Sequence, residues 1–364
     1  MELMQAHRQW LSRPDDERFL SLIDLDAFCR SQHELSRARV VSSRVLKAAP
    51  AADDSKALTI AGPAGAPVAL TNWSFGQLAQ RAGAPAAYLR TLPSPMAADC
   101  LNYGLQYSRD VENVGLLLTR EDAIVSARAF TGPSYGRIWN DAITGALVRT
   151  FGDGVTGQWR IPGEFGIQNR PVTKQSTTLY ASDRDMWVFL ADESNRLSLP
   201  NRRGGKTGEL SRGFFVWNSD VGAATFGIAT FLFDYMCGNH IVWGAQEYKE
   251  IRIRHTAAAP DRFLEQCRPA LERMSNASCF GIEQQLRAAQ KARIDDVDAF
   301  LLQRFSKSQA GAIAAAHLAD EERPIETLWD AVTGITAYAR DIPHMNARVE
   351  LEREAGKILV MATA

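Results

Sequence analysis

The stretch SRGFFVWNSDVGAATFGIATFLFDYMCGNHIVWGAQEYKEIRIRHT, Ser211 to Thr256, concentrates apolar and aromatic residues as nowhere else in the chain, and turn residues punctuate it evenly. Phe214 to Trp217 is a β-branched and aromatic run that fits a strand apolar on both faces. Asn218-Ser219-Asp220 follows, and its short polar side chains bond locally and favour a turn, which Gly222 closes. From Ala223 to Tyr235 a second apolar run places Phe226, Ile228, Thr230 and Leu232 on one face of a strand and Phe231 and Phe233 on the other. A strand apolar on both sides must be internal. Gly238-Asn239, between Cys237 and His240-Ile241-Val242-Trp243, supplies two residues tolerant of positive φ and predicts a tight hairpin. The rival reading bends Phe231 to Cys237 into a helix capped by Gly238. Beyond it, Tyr248, Ile251 and Ile253 alternate imperfectly with Lys249, Arg252 and Arg254, an amphipathic strand with one basic, wet face.

Three segments of this region carry a resemblance: Trp217-Asn218-Ser219-Asp220-Val221-Gly222, Cys237-Gly238-Asn239-His240 and Arg252-Ile253-Arg254-His255-Thr256. With the upstream Asn72-Trp73-Ser74-Phe75-Gly76-Gln77-Leu78-Ala79, the set resembles the domain-of-unknown-function family 932, found in phages, plasmids and prophages. The resemblance covers roughly residues 65 to 260. It implies a mobile-element setting and no particular chemistry, since the family has no assigned activity.

Bulk properties bound the answer. A chain of 364 residues, 46% hydrophobic and 23% charged, suits a soluble globular protein of about two domains. A net charge of -1 and a pI near 6.6 exclude a uniformly basic nucleic-acid coat, although one basic face remains compatible. The five cysteines, Cys29, Cys100, Cys237, Cys267 and Cys279, are odd in number and lack C-x-x-C spacing, so a reducing cytoplasm is expected rather than a disulfide framework or a zinc knuckle. The N-terminal MELMQAHRQWLSRPDDERF has no signal-peptide core, and no uninterrupted apolar run reaches the about 18 residues of a membrane span.

In chain order, residues 1–60 read as a helical N-terminal segment: one helix with Trp10 and Leu11, a second through Phe19, Leu22, Ile23 and Phe28, then a basic arm. The arm, Arg30 to Lys47, sets Arg30, Arg37, Arg39, Arg44 and Lys47 against the single acid Glu34. Charge runs of this kind are usually solvated faces, with phosphate contact as the functional alternative. Ala48 to Pro67, rich in Ala, Gly, Pro and Asp, reads as a linker or loop. Residues 61–256 read as an α+β sheet domain. Its expected elements are a helix from Asn72 ended by Gly83, a short helix from Pro85, a hairpin of Val114 to Leu118 with Ala123 to Ala129, a helix from Tyr135 to Phe151, and a hairpin of Thr177 to Ala181 with Met186 to Leu190. After Ala257-Ala258-Ala259-Pro260, residues 257–364 read as helical, with apolar residues at helical spacing in six segments from Phe263 to Leu359. The expected fold class is α+β: a mostly antiparallel curved sheet with flanking helices, followed by an α-helical C-terminal region.

For function, the residues offer a strand-rich region with a basic face and aromatic side chains. The segment Asn201-Arg202-Arg203-Gly204-Gly205-Lys206-Thr207-Gly208 lacks a preceding strand and the full phosphate-loop spacing, and reads as a flexible basic loop able to settle on a phosphate backbone. The expectation is single-stranded DNA binding through Arg202, Arg203, Lys206, Arg212, Trp217, Lys249, Arg252 and Arg254, with Arg37, Arg39 and Arg44 on the arm. Strand annealing in phage or plasmid recombination, and a homo-oligomer, are expected by analogy. Core packing competes for Trp217 and Trp243. No cofactor, metal or catalytic residue is expected, because no H-E-x-x-H, G-x-S-x-G or EF-hand pattern occurs. A metal-dependent nuclease would require Asp183, Asp185 and Asp192, or Asp220 and His255, to converge. A protein-interaction module or inhibitor of a host system would show a large apolar surface without a basic groove.

Overall fold

The computed structural model describes residues 13–52, 57–61, 65–107, 113–162, 172–200, 202–235, 239–242, 250–276 and 280–362. A 3-10 turn (Asp15–Glu17) leads into strand β1 (Arg18–Phe19) and helix α1 (Leu22–Glu34), which the Ser21 side chain caps by accepting from the Asp24 amide. Next come β2 (Ser36–Ser42), a 3-10 turn (Ser43–Val45), β3 (Ala48–Pro50), β4 (Leu58–Ala61) and β5 (Pro67–Leu70). Helices α2 (Asn72–Arg81), α3 (Ala86–Leu89) and α4 (Ser94–Tyr107) precede the hairpin of β6 (Asn113–Glu121) and β7 (Ile124–Thr131), then α5 (Asn140–Phe151). Strands β8 (Trp159–Arg160), β9 (Leu179–Ala181), β10 (Met186–Leu199), β11 (Gly208–Asn218), β12 (Phe226–Asp234), β13 (Asn239–Val242) and β14 (Ile251–Ile253) follow. The chain ends in α6 (Ala259–Ser275), α7 (Phe280–Lys291), α8 (Val297–Leu302), α9 (Lys307–Glu321), α10 (Leu328–Arg340) and α11 (Met345–Met361). The fold is α+β as expected, but with two sheets rather than one.

The larger sheet has the order β1-β9-β10-β11-β12-β13, with β8 on β10 and β14 on β12, all antiparallel. It is built around the quoted stretch. Phe214, Val216, Phe226 and Ile228 face a core shared with α1, α5 and α6, while Phe215, Trp217, Phe231 and Phe233 face the opposite side, where Met345 and Val349 of α11 pack. At one end Leu199, Leu210 and Leu232 join the helical layer through Ile282 and Trp329. Both apolar faces are thus covered within the chain, which removes the ground on which a covering subunit was expected. The hairpin between β12 and β13 pairs Asp234 with Asn239, and its expected Gly238 lies outside the described residues. Two expected boundaries move. Ala257 to Pro260 does not divide the core, because Phe263, Cys267 and Leu271 of α6 are buried against the sheet. Position 60/61 falls inside β4.

The smaller sheet runs β2-β6-β7-β5-β4-β3, with β5 and β7 parallel and its other neighbours antiparallel. The stretch read as a linker holds β3 and β4. Leu58 and Ile60 are buried on either side of Thr59, a period-2 signal that the surrounding Ala, Gly and Pro obscure. Residues 43–47 connect the first strand of this order to the last. Six Cα steps reach at most about 21 Å, less than the about 24 Å that five interstrand gaps occupy in a flat sheet, so the sheet curls. Leu70, Leu116, Leu118 and Phe130 meet Phe75, Leu78, Leu101 and Leu105 of α2 and α4 in the curl.

Candidate nucleic-acid interface

The structure divides the expected basic residues into two groups. Arg202 is fully buried: its Nη1 lies 2.7 Å from Asp234 Oδ2, its Nε donates to Glu321 Oε1 at 3.0 Å, and its guanidinium lies 5.4 Å from the Trp329 ring centre. The expected flexible loop is a tight turn in which the Arg202 amide donates to the Lys206 carbonyl and Gly204 and Gly205 take positive φ. Glycine there lets the chain reverse and carry Arg202 inward. Arg203, on the outside of that turn, pairs with Glu322, and Lys206 is exposed. Arg212 is buried against Asp192, with Nη2 at 2.8 Å and Nε at 3.0 Å from Oδ2. Trp217 is 5% exposed, stacked on Phe215 and Trp187, with the guanidinium groups of Arg252 and Arg353 5.7 and 5.5 Å from its ring centre. No base can stack on a ring so enclosed, which corrects the expectation for Trp217. Arg252 is exposed and paired with Glu250; Arg254 is exposed; Lys249 and Trp243 lie outside the described residues.

The second group sits on the smaller sheet. A groove of about 530 Å³ opens at the end of the strands where β2 begins. Val68, Leu118 and Val125 form its floor, and Arg37, Arg39 and Arg120 its charged walls, with Glu34 as the acid present. Register explains the grouping. Arg37 stands directly opposite Leu118 and Arg120 opposite Val125, so all four point from one face, with Arg39 two residues on from Arg37. The Arg37 Nη1 donates to the carbonyls of Glu34 and Ser36 at 2.8 and 2.7 Å, and the Arg120 Nε donates to the Asp122 carbonyl at 3.3 Å. These bonds orient the guanidinium groups without neutralising them. Arg202, Arg203, Arg212 and Arg252 each meet a carboxylate. Among the described residues, Arg37, Arg39, Arg44 and Arg120 have no ion-pair partner. Arg120 escaped the sequence reading because only the β2/β6 register brings it beside Arg37.

The segments that carried the family resemblance meet at the seam between the sheets. The Val221 carbonyl accepts from Trp73 Nε1 at 3.0 Å and Gln77 Nε2 at 2.8 Å, while Ser219 and Asp220 carbonyls accept from Tyr135 Oη and Arg137 Nε at 2.8 and 2.6 Å. Arg128 Nη2 donates to Asp220 Oδ1 at 3.2 Å across the buried seam, and the His255 ring stacks on Tyr135 at 4.8 Å with Nδ1 3.1 Å from the Gly136 carbonyl. Burial holds the His255 pKa below its ordinary value. These bonds satisfy a loop that would otherwise bury bare carbonyls, so the motifs here fasten two sheets together.

The acids weighed for metal chemistry separate. Asp192 is committed to Arg212, Gln158 and Asn195, seven residues along an extended strand from Asp185, which is roughly 20 Å. Asp185 pairs with Arg13 at 2.7 Å. Among the described residues, no three His, Cys, Asp or Glu side chains group as a metal ion requires. Nearby, burial, reinforced by Asp183 and Asp185, lifts the Glu17 carboxyl to about 7 from 4.5. A folded-state pKa above the unfolded one stabilises below pH 4.5 and is lost as pH rises toward 7. Glu17→Gln is therefore expected to flatten the fall in melting temperature over that window; a curve parallel to wild type would contradict it.

No family model matches the chain, and no curated protein and no solved structure matches it.

Proposed function

We propose that the chain binds single-stranded DNA in the groove beside β2. The supporting observation is the set of guanidinium groups there, held by main-chain carbonyls, free of carboxylate partners among the described residues and standing over an apolar floor. Such a surface attracts phosphates electrostatically while its floor accepts sugar and base edges, which gives binding tolerant of sequence. Arg44, exposed on the turn that follows β2, extends the positive strip. The residues first expected to form the DNA face contribute differently: Arg202, Arg212 and Trp217 hold the fold, and Arg254 and Lys206 remain exposed cations apart from the groove. In the mobile-element setting implied by the motif resemblance, this surface would serve strand annealing, with two copies each presenting one strand.

The test is the salt dependence of oligonucleotide binding. Each phosphate contact on a single strand contributes roughly 0.7 to the slope of log affinity against log salt, so replacing Arg37, Arg39 and Arg120 together by Ala is expected to lower the slope by about 2. The melting temperature is expected to change little, because the charged groups are at the surface. An unchanged slope, or a wild type that does not bind, would overturn the reading.

A further inference from the structure

We infer that Tyr103 and Tyr107 of α4 form a base-stacking platform for the same DNA strand whose phosphates lie at Arg37, Arg39 and Arg120, an inference that rests on the function just proposed. The two side chains are 69% and 63% exposed, among the most exposed large hydrophobics of the molecule, and their rings lie 4.8 Å apart at 46°. One helical turn separates them, so they share a face, while Leu101 and Leu105 bury the opposite one. The helix cannot roll. A Cβ on Gly104 would lie 2.0 Å from the Ala82 carbonyl oxygen, so α4 is pressed against the end of α2 beside Tyr103. The Asn102 side chain also accepts from the Ala48 amide at 2.7 Å and donates to the Ala48 carbonyl at 2.9 Å.

That double bond also locates the platform. Reading partners across the smaller sheet, Ser36 pairs with Thr119, Thr119 with Ser126, Ser126 with Ala69, Ala69 with Thr59 and Thr59 with Ala49. Arg37 and Ala48 therefore lie at the same end of the strands, across five gaps that measure about 24 Å if flat and less in a curled sheet. The tyrosines stand on the far lip of the mouth whose near wall is the arginine groove. Single-strand sites of about 4 to 16 nucleotides cover such a span. Exposed aromatic rings held on a rigid helix accept any base, and an adjoining uncompensated cationic wall accepts the backbone; the pairing of the two is what a single strand requires and a peptide does not.

The experiment compares two labelled probes by fluorescence anisotropy: an oligothymidylate of about 12 nucleotides and an abasic strand of the same length. Tyr103→Ser with Tyr107→Ser is expected to weaken oligothymidylate binding roughly 10- to 100-fold, to leave abasic binding and the salt slope unchanged, and to keep the melting temperature near wild type. Tyr103→Phe with Tyr107→Phe is expected to bind as wild type, since the ring is retained. If the serine variant binds oligothymidylate as wild type while the arginine variant is weakened, the platform is refuted and the groove stands. If the serine variant loses both probes equally, the tyrosines act on shape or fold and the platform is again refuted. If wild type binds neither probe, both readings fall.

Discussion

Arg202→Met is expected to destabilise the fold by about 3 to 5 kcal/mol, the cost typical of removing one partner from a buried ion pair. The side chain has no exposed surface, and its removal strands the Asp234 and Glu321 carboxylates, both also buried. The stem of a methionine fills most of the space but donates nothing. Leaving a charge uncompensated costs more than the pair itself contributes, so Arg202→Met combined with Asp234→Leu and Glu321→Leu is expected to recover much of the loss. Urea unfolding reads both results. A solvated loop residue would instead change stability by no more than about 0.5 kcal/mol, and such a value for Arg202→Met would show that the turn is not the buried clamp described.

The contrast between Arg202 and Arg203 shows what the sequence could carry. Both stand in a Gly-rich, polar segment whose composition speaks for mobility, and nothing local distinguishes them. Their fates are set 119 residues away, where α9 presents Glu321 inward and Glu322 outward. Local pattern did reveal the strands: period-2 burial split Phe226 and Ile228 from Phe231 and Phe233 as expected, and Gly83, at φ +68°, ends the helix pair's first member. It failed where partners are remote. The basic arm of Arg37 and Arg39 was visible as charge, yet its meaning depends on Leu118 and Arg120, which antiparallel register places opposite and beside it. Tyr103 and Tyr107 looked like ordinary helix residues, because exposure of one helical face is decided by what packs on the other.

Trp217 separates the two accounts of the large sheet most sharply, and its removal is the other change expected to cost most. Trp217→Ala is expected to lose about 3 to 5 kcal/mol of stability, as for other large buried aromatics. The ring lies in an aromatic ladder with Trp187, Phe215 and Phe189, and directly across the β11/β12 pair it covers Gly227. A Cβ at position 227 would sit 2.0 Å from Trp217 Cζ2, so the indole occupies the space that any side chain there would need. Gly227→Ala is accordingly expected to destabilise on its own by overpacking, typically about 1 to 3 kcal/mol. Combined with Trp217→Ala, it is expected to cost less than the sum of the two, because the vacated indole volume admits the methyl group. Below the unfolding transition, Trp217→Ala is expected to bind oligothymidylate as wild type does, since the groove lies on the other sheet. A variant with unaltered stability and weakened binding would return Trp217 to the nucleic-acid surface and count against the groove beside β2 as the sole site.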